Sequence, residues 1–101
     1  MPTTLSEMDY LAGRPEFVAR VRAAMVTAAV SVGTEAEDNT EHGRLRRALS
    51  VNVLQNPDLW APQFARAVAT NVAVTIDSTD NDLQFTVNSR WSAMAGAGPD
   101  A

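Results

Sequence analysis

The chain has 101 residues, 46% of them hydrophobic and 20% charged, which makes it one domain, too short for two cores and too apolar to stay disordered. Eight cations against twelve acids give a formal net charge of -4, the wrong sign for a duplex-binding footprint, so no specific nucleic-acid binding is expected. Cysteine is absent and every cation is an arginine, which excludes disulfides, thiolate nucleophiles, thiolate zinc sites, Schiff-base lysines and a P-loop lysine.

In chain order, the start Met1-Pro2-Thr3-Thr4-Leu5-Ser6-Glu7 has neither the basic nor the apolar region of a signal peptide, and no apolar run reaches the ~18 residues of a membrane span. A cytosolic site of synthesis and no membrane contact are therefore expected. Thr4-x-x-Glu7 has the pattern of a capping box and predicts a short first helix through Leu11, stopping at Gly13. Pro15 suits the first turn of a second helix. Val18, Val21, Met25, Ala28, Ala29 and Val32 then fall within a wedge of roughly 100°, and Gly33 ends the run.

Residues 34–41 read as a polar, acidic connector in which Thr40 caps a third helix. Its predicted inner stripe is Leu45, Ala48, Leu49, Asn52 and Val53, and Pro57 stops it because the ring disfavours α geometry at Asn56. Two prolines five apart predict a turn with a single helical turn over 56–61, and a fourth helix starting at Pro62 that carries Phe64, Ala67 and Val68 toward Asn71. Val72-Ala73-Val74-Thr75-Ile76 is β-prone, but a lone strand has no ladder partner. An extended connector near residues 72–78 is expected, with strand pairing between subunits as the alternative. Thr79-x-x-Asp82 resembles a second capping box, and Leu83, Val87, Trp91 and Met94 fall within roughly 80° on a fifth helix. With seventeen alanines, the best helix formers, the expectation is an all-α fold. It is a small bundle of about four to five helices, with residues 1–95 as a single helical domain and 96–101 as a flexible C-terminal tail.

The chemistry-bearing residues are sparse. His42 is the one histidine and reads as a solvated residue near a helix start, since a zinc triad or a nucleophilic triad needs several converging groups. Counted from Asp77 as the first position of a calcium loop, the sixth residue is Asp82 and the twelfth Asn88, where an EF-hand needs Gly and Glu. Asp77, Asp80 and Asp82 fit better as carboxylates facing the positive end of the last helix. Glu35, Glu37, Asp38 and Glu41 read as a solvated loop, without a group that would set one as acid and another as base. No catalytic, metal-ligating or cofactor-binding residues are assigned, and no cofactor is expected. Arg44, Arg46 and Arg47 form the densest basic cluster. A phosphate patch there is disfavoured without interleaved aromatics, and pairing with carboxylates, in the chain or on a partner, is preferred. The candidate protein interface is therefore Arg44, Arg46 and Arg47 with Glu35 and Glu37, the acidic segment Glu35 to Glu41 of one subunit facing the arginines of another subunit or of a neighbouring protein. Trp60, Phe64 and Trp91 are expected to fill the core, with at least one inserting into a partner as the alternative. Trp60 joins the candidate interface on that ground.

Two stretches carry a resemblance. Asn56-Pro57-Asp58-Leu59-Trp60-Ala61-Pro62-x-Phe64 with Ala67 and Asn71, followed by Asp80-Asn81-Asp82-Leu83-Gln84-Phe85-Thr86-Val87-Asn88-Ser89-x-Trp91, is similar to small virion proteins of tailed bacteriophages and prophages, some of the head-tail connector or adaptor type. The likeness covers roughly the C-terminal half. It implies a non-enzymatic subunit of the virion neck, assembled as a ring of copies of itself, docked on the portal protein and presenting a surface to the next neck or tail protein. It implies no catalytic residues. Another virion role, capsid-decorating or tail-associated, and a small cytosolic protein-binding regulator are the alternatives.

Overall fold

The computed structural model of the protein describes residues 5–35 and 39–97. Five helices occupy them: α1 Leu5–Ala12, α2 Pro15–Gly33, α3 Glu41–Gln55, α4 Pro57–Ala69 and α5 Asp80–Ala97. No strand occurs among the described residues, and no helix among them is long and apolar enough to cross a membrane. The all-α expectation therefore holds.

Local chemistry sets most helix ends. Pro15 occupies the first turn of α2, where a missing N–H costs no hydrogen bond. Beside it Arg14 Nε donates to Glu16 Oε1 at 2.7 Å, and the guanidinium also lies 5.3 Å from the centre of the Tyr10 ring. The Glu16 carboxyl is held below the usual carboxylate range, first by a backbone N–H at the helix start and then by Arg14. Thr40 caps α3, its Oγ1 accepting from the Gly43 N–H at 3.1 Å. The box before α5 is reciprocal: Asp82 N donates to Thr79 Oγ1 at 3.1 Å and Thr79 N to Asp82 Oδ2 at 3.2 Å. The capping box expected at Thr4 and Glu7 lies outside the described residues and side chains. Helix α5 runs on to Ala97, so Gly96 and Ala97, expected in the tail, belong to its last turn.

Helix α4 departs from expectation. It is continuous from Pro57, with Pro62 inside it, rather than starting at Pro62. Trp60, Ala61, Phe64, Ala65 and Val68 are all buried at the one-and-four spacing of a single helical stripe. Packing of that stripe outweighs the one backbone hydrogen bond lost at Pro62.

The connector between α4 and α5 is folded into turns rather than extended. Val74 N donates to Asn71 O at 2.9 Å and Ser78 N to Thr75 O at 3.1 Å. Asn71, Thr75 and Ser78 side chains each accept from a nearby backbone N–H. Such local side-chain bonds compete with extended backbone. Arg20 of α2 fastens the end of this segment, with Nη2 donating to Ser78 O at 2.5 Å and to Asp80 Oδ1 at 2.9 Å.

Helix α2 lies centrally and buries Phe17, Val21, Ala24, Met25, Ala28, Ala29 and Val32, close to the stripe read from the sequence but with Phe17 and Ala24 added and Val18 only half-buried. Helix α5 buries Leu83, Val87 and Trp91, as periodicity predicts, together with Thr86. Helix α3 is rotated from expectation. Gly43, Leu49, Ser50 and Val53 face inward, while Leu45 is 43% exposed and Ala48 and Asn52 are also exposed.

The three large rings join the helices. Trp60 and Phe64 centroids are 6.5 Å apart, and Phe64 and Trp91 are 5.1 Å apart. Each indole N–H finds an acceptor on α3, Asn52 Oδ1 for Trp60 at 3.1 Å and the Arg46 carbonyl for Trp91 at 3.2 Å.

Trp91→Ala is expected to destabilise the fold by about 3–5 kcal/mol, and Trp91→Phe by about 1 kcal/mol through the lost N–H donor, both measured by urea unfolding. Thr79→Ala should cost about 1 kcal/mol in the same assay, because it removes the α5 cap. An unchanged midpoint for Trp91→Ala would contradict its place in the core. The Glu16 contribution is present above the usual carboxylate range and is lost as pH falls through its lowered folded-state value; a carboxyl titration by NMR should find Glu16 below the exposed acids.

Candidate interaction surface

The sequence-derived interface residues separate in the structure. Arg46, half-buried on α3, forms an ion pair with Glu35, Nη1 to Oε2 at 3.0 Å. The pairing expected between subunits is, for these two residues, made within one chain. Arg46 is held in place because its backbone carbonyl receives the Trp91 indole, so its side chain emerges beside the end of α2. Arg44 stands exposed on α3, and Arg47 is half-buried. Glu37 lies outside the described residues. Trp60 is 2% exposed, and its polar N–H is used by Asn52; the expectation that it fills the core holds, and its alternative place in the interface is corrected.

His42 is exposed, with its Nε2 3.1 Å from Ser92 Oγ. Asp80 pairs with Arg20, and Asp82 caps α5. Among the described residues no group of three or more His, Asp or Glu side chains converges as a metal site would.

The surface feature missed in the sequence is apolar. Phe85 is 74% exposed and Tyr10 65%, with Leu59 at 54% and Val51 at 55%. Phe85 was legible in principle: it lies two residues from both Leu83 and Val87, about 200° around the helix from the buried stripe, so burying that stripe turns Phe85 outward.

Beside Phe85, α2 and α5 run side by side in parallel register. Arg20 meets Asp80, and the Gln84 Nε2 donates to the Ala24 carbonyl at 2.9 Å. Between the two helices is an open groove of about 390 Å³ lined by Ala19, Arg20, Ala23, Ala24, Thr27, Asp80 and Gln84. No charged residue occurs between Arg22 and Glu35, or between Asp82 and Arg90. The charged side chains stand at the ends, where Arg20–Asp80 closes one and Arg46–Glu35 the other.

No protein-family model, no curated protein sequence and no solved structure matches the chain.

A double-mutant cycle on Arg46→Ala and Glu35→Ala is expected to give a coupling of about 0.5–1 kcal/mol, at the upper end for a partly exposed pair. Arg44→Glu should leave unfolding within about 0.5 kcal/mol of the parent. A coupling indistinguishable from zero would show that the ion pair does not hold the α2–α3 connection.

Proposed function

We propose that the chain is a non-enzymatic structural subunit of a tailed-phage virion, of the head-tail connector or adaptor type. It is made in the host cytoplasm, docks on the portal protein as a ring of copies, and joins head to tail through the next neck or tail component. The observation that carries this reading is the combination of a small helical bundle with a strongly exposed aromatic, Phe85 on α5, in a chain of net charge -4. Large apolar side chains left at the surface, Phe85 foremost, suit contact with other proteins. The resemblance of residues 56–71 and 80–91 to virion proteins supplies the setting. Those stretches fall on α4 and α5, where Trp60, Phe64 and Trp91 build the core and Phe85 stands outside it. Arg44, exposed on α3, gives an acidic neighbour in the neck a cation to pair with, and arginine suits bidentate contacts to carboxylates.

The test is mass spectrometry of purified particles with quantification against the portal protein. The expected result is this chain in the particle at a copy number commensurate with the portal ring. Copy numbers that follow the major capsid protein would point to decoration instead. Absence from particles, with the chain recovered in a cytosolic complex, would replace the virion reading with that of a regulator.

A further inference from the structure

We infer that residues 71–79 form a strap with two states: a turned state latched to α2 by Arg20, and a released state in which 72–76 extend while the five helices stay folded. This motion belongs to the fold itself and is independent of the virion reading.

The strap is joined to the bundle at very few points. Its backbone hydrogen bonds are internal, Val74 N to Asn71 O and Ser78 N to Thr75 O. So are its side-chain bonds: Asn71 Oδ1 accepts from Ala73 N, Ser78 Oγ from Thr75 N and Thr75 Oγ1 from Asp77 N. Among the described residues, the hydrogen bonds that tie positions 72–78 to a distant part of the chain all come from one side chain, Arg20, whose Nη2 donates to Ser78 O and whose Nη1 lies 3.5 Å from Ile76 O. Val74 and Ser78 are the buried residues of 72–78, while Val72 is 69% exposed and Ile76 43%. A segment with one buried apolar anchor opens at lower cost than helices whose stripes are buried along their length.

The latch is firm on the bundle side and light on the strap side. Arg20 Nε and Nη2 both donate to Asp80 Oδ1, at 3.0 and 2.9 Å, which orients the planar guanidinium against the first residue of α5 and leaves the rest of the fork for the strap carbonyls. The Arg20 and Asp80 side chains are 34% and 88% exposed, so when the strap leaves, neither charge is stranded away from water.

The sequence of the strap prefers the state that the fold does not give it. Val72, Val74, Thr75 and Ile76 are β-branched and favour extended backbone, yet the segment is folded into turns. A conflict between local preference and native conformation narrows the gap between two states and marks functional or strained segments. Once Val74 and Arg20 let go, only the short polar bonds of Asn71, Thr75 and Ser78 oppose extension, and these are then open to competition from water.

The experiment is native-state hydrogen exchange by NMR on the full chain, over urea concentrations below the unfolding transition. The Val74 and Ser78 amides are expected to share one opening event that depends little on urea and is at least about a hundredfold more frequent than the openings that release core positions such as Val21 and Val68. Arg20→Gln should speed exchange at Val74 and Ser78 about tenfold or more, as the loss of hydrogen bonds from a charged donor implies. Arg20→Gln combined with Val74→Ala removes both attachments. That variant should keep its far-UV helix content and a cooperative urea transition, lose protection at Val74 and Ser78, and move the carbon chemical shifts of 72–76 toward extended values. Val74 and Ser78 amides that open as rarely as those of α2 and α4, with the same urea dependence, would overturn the inference, because the connector would then open only with the whole bundle. Exchange indifferent to Arg20→Gln, turn-like shifts in the double variant, or loss of its helices would each overturn it as well.

Discussion

Both tryptophans are buried, and both indole N–H groups take their acceptors from α3. The rest of the bundle depends on this arrangement. In a chain with seventeen alanines, large apolar side chains are scarce, and two indoles, two phenyls and a few aliphatic residues are the large groups buried in the core, whose removal from water drives folding. An indole cannot be buried without placing its N–H, so α3 must stand where Asn52 reaches Trp60 of α4 and the Arg46 carbonyl reaches Trp91 of α5. The rotation of α3 follows from that requirement. It turns Gly43 and Ser50 inward and leaves Leu45, Val51 and Leu54 at the surface.

The same geometry connects the core to the surface. Since Trp91 holds the Arg46 backbone, the Arg46 side chain is delivered to Glu35 at the end of α2. At the other end of α2, Arg20 fastens the turned connector and Asp80. These two ion pairs bracket the α2/α5 pair and leave between them a surface without formal charge. The absence of charge there follows from where the core needs its arginines, and Phe85 stands outward by the half-turn offset from Leu83 and Val87.

Much of the polar chemistry of the bundle is spent on its own structure. Its polar side chains are largely engaged in caps, turns and helix connections: Thr40, Thr79 and Asp82 at helix starts, Asn71, Thr75 and Ser78 within the connector, and Asn52 under Trp60. Phe85 and Arg44 stand at the surface outside these engagements.

The sequence by itself determined the helices whose ends are local chemistry: Pro15 and Gly33 around α2, Thr40 before α3, and the Thr79–Asp82 pair before α5. It also determined the buried stripes of α2 and α5, because a strong 3.6-residue period has one way to face a core. Only the tertiary structure decided the rest. Pro62 lies inside α4 because the packing of residues on both sides of it outweighs one lost hydrogen bond. Trp60 lies inside because Asn52, eight residues away, accepts its N–H. Glu35 is paired within its own chain because Trp91, far along the sequence, fixes Arg46. These outcomes depend on partners brought together by folding, so no local pattern in the sequence encodes them.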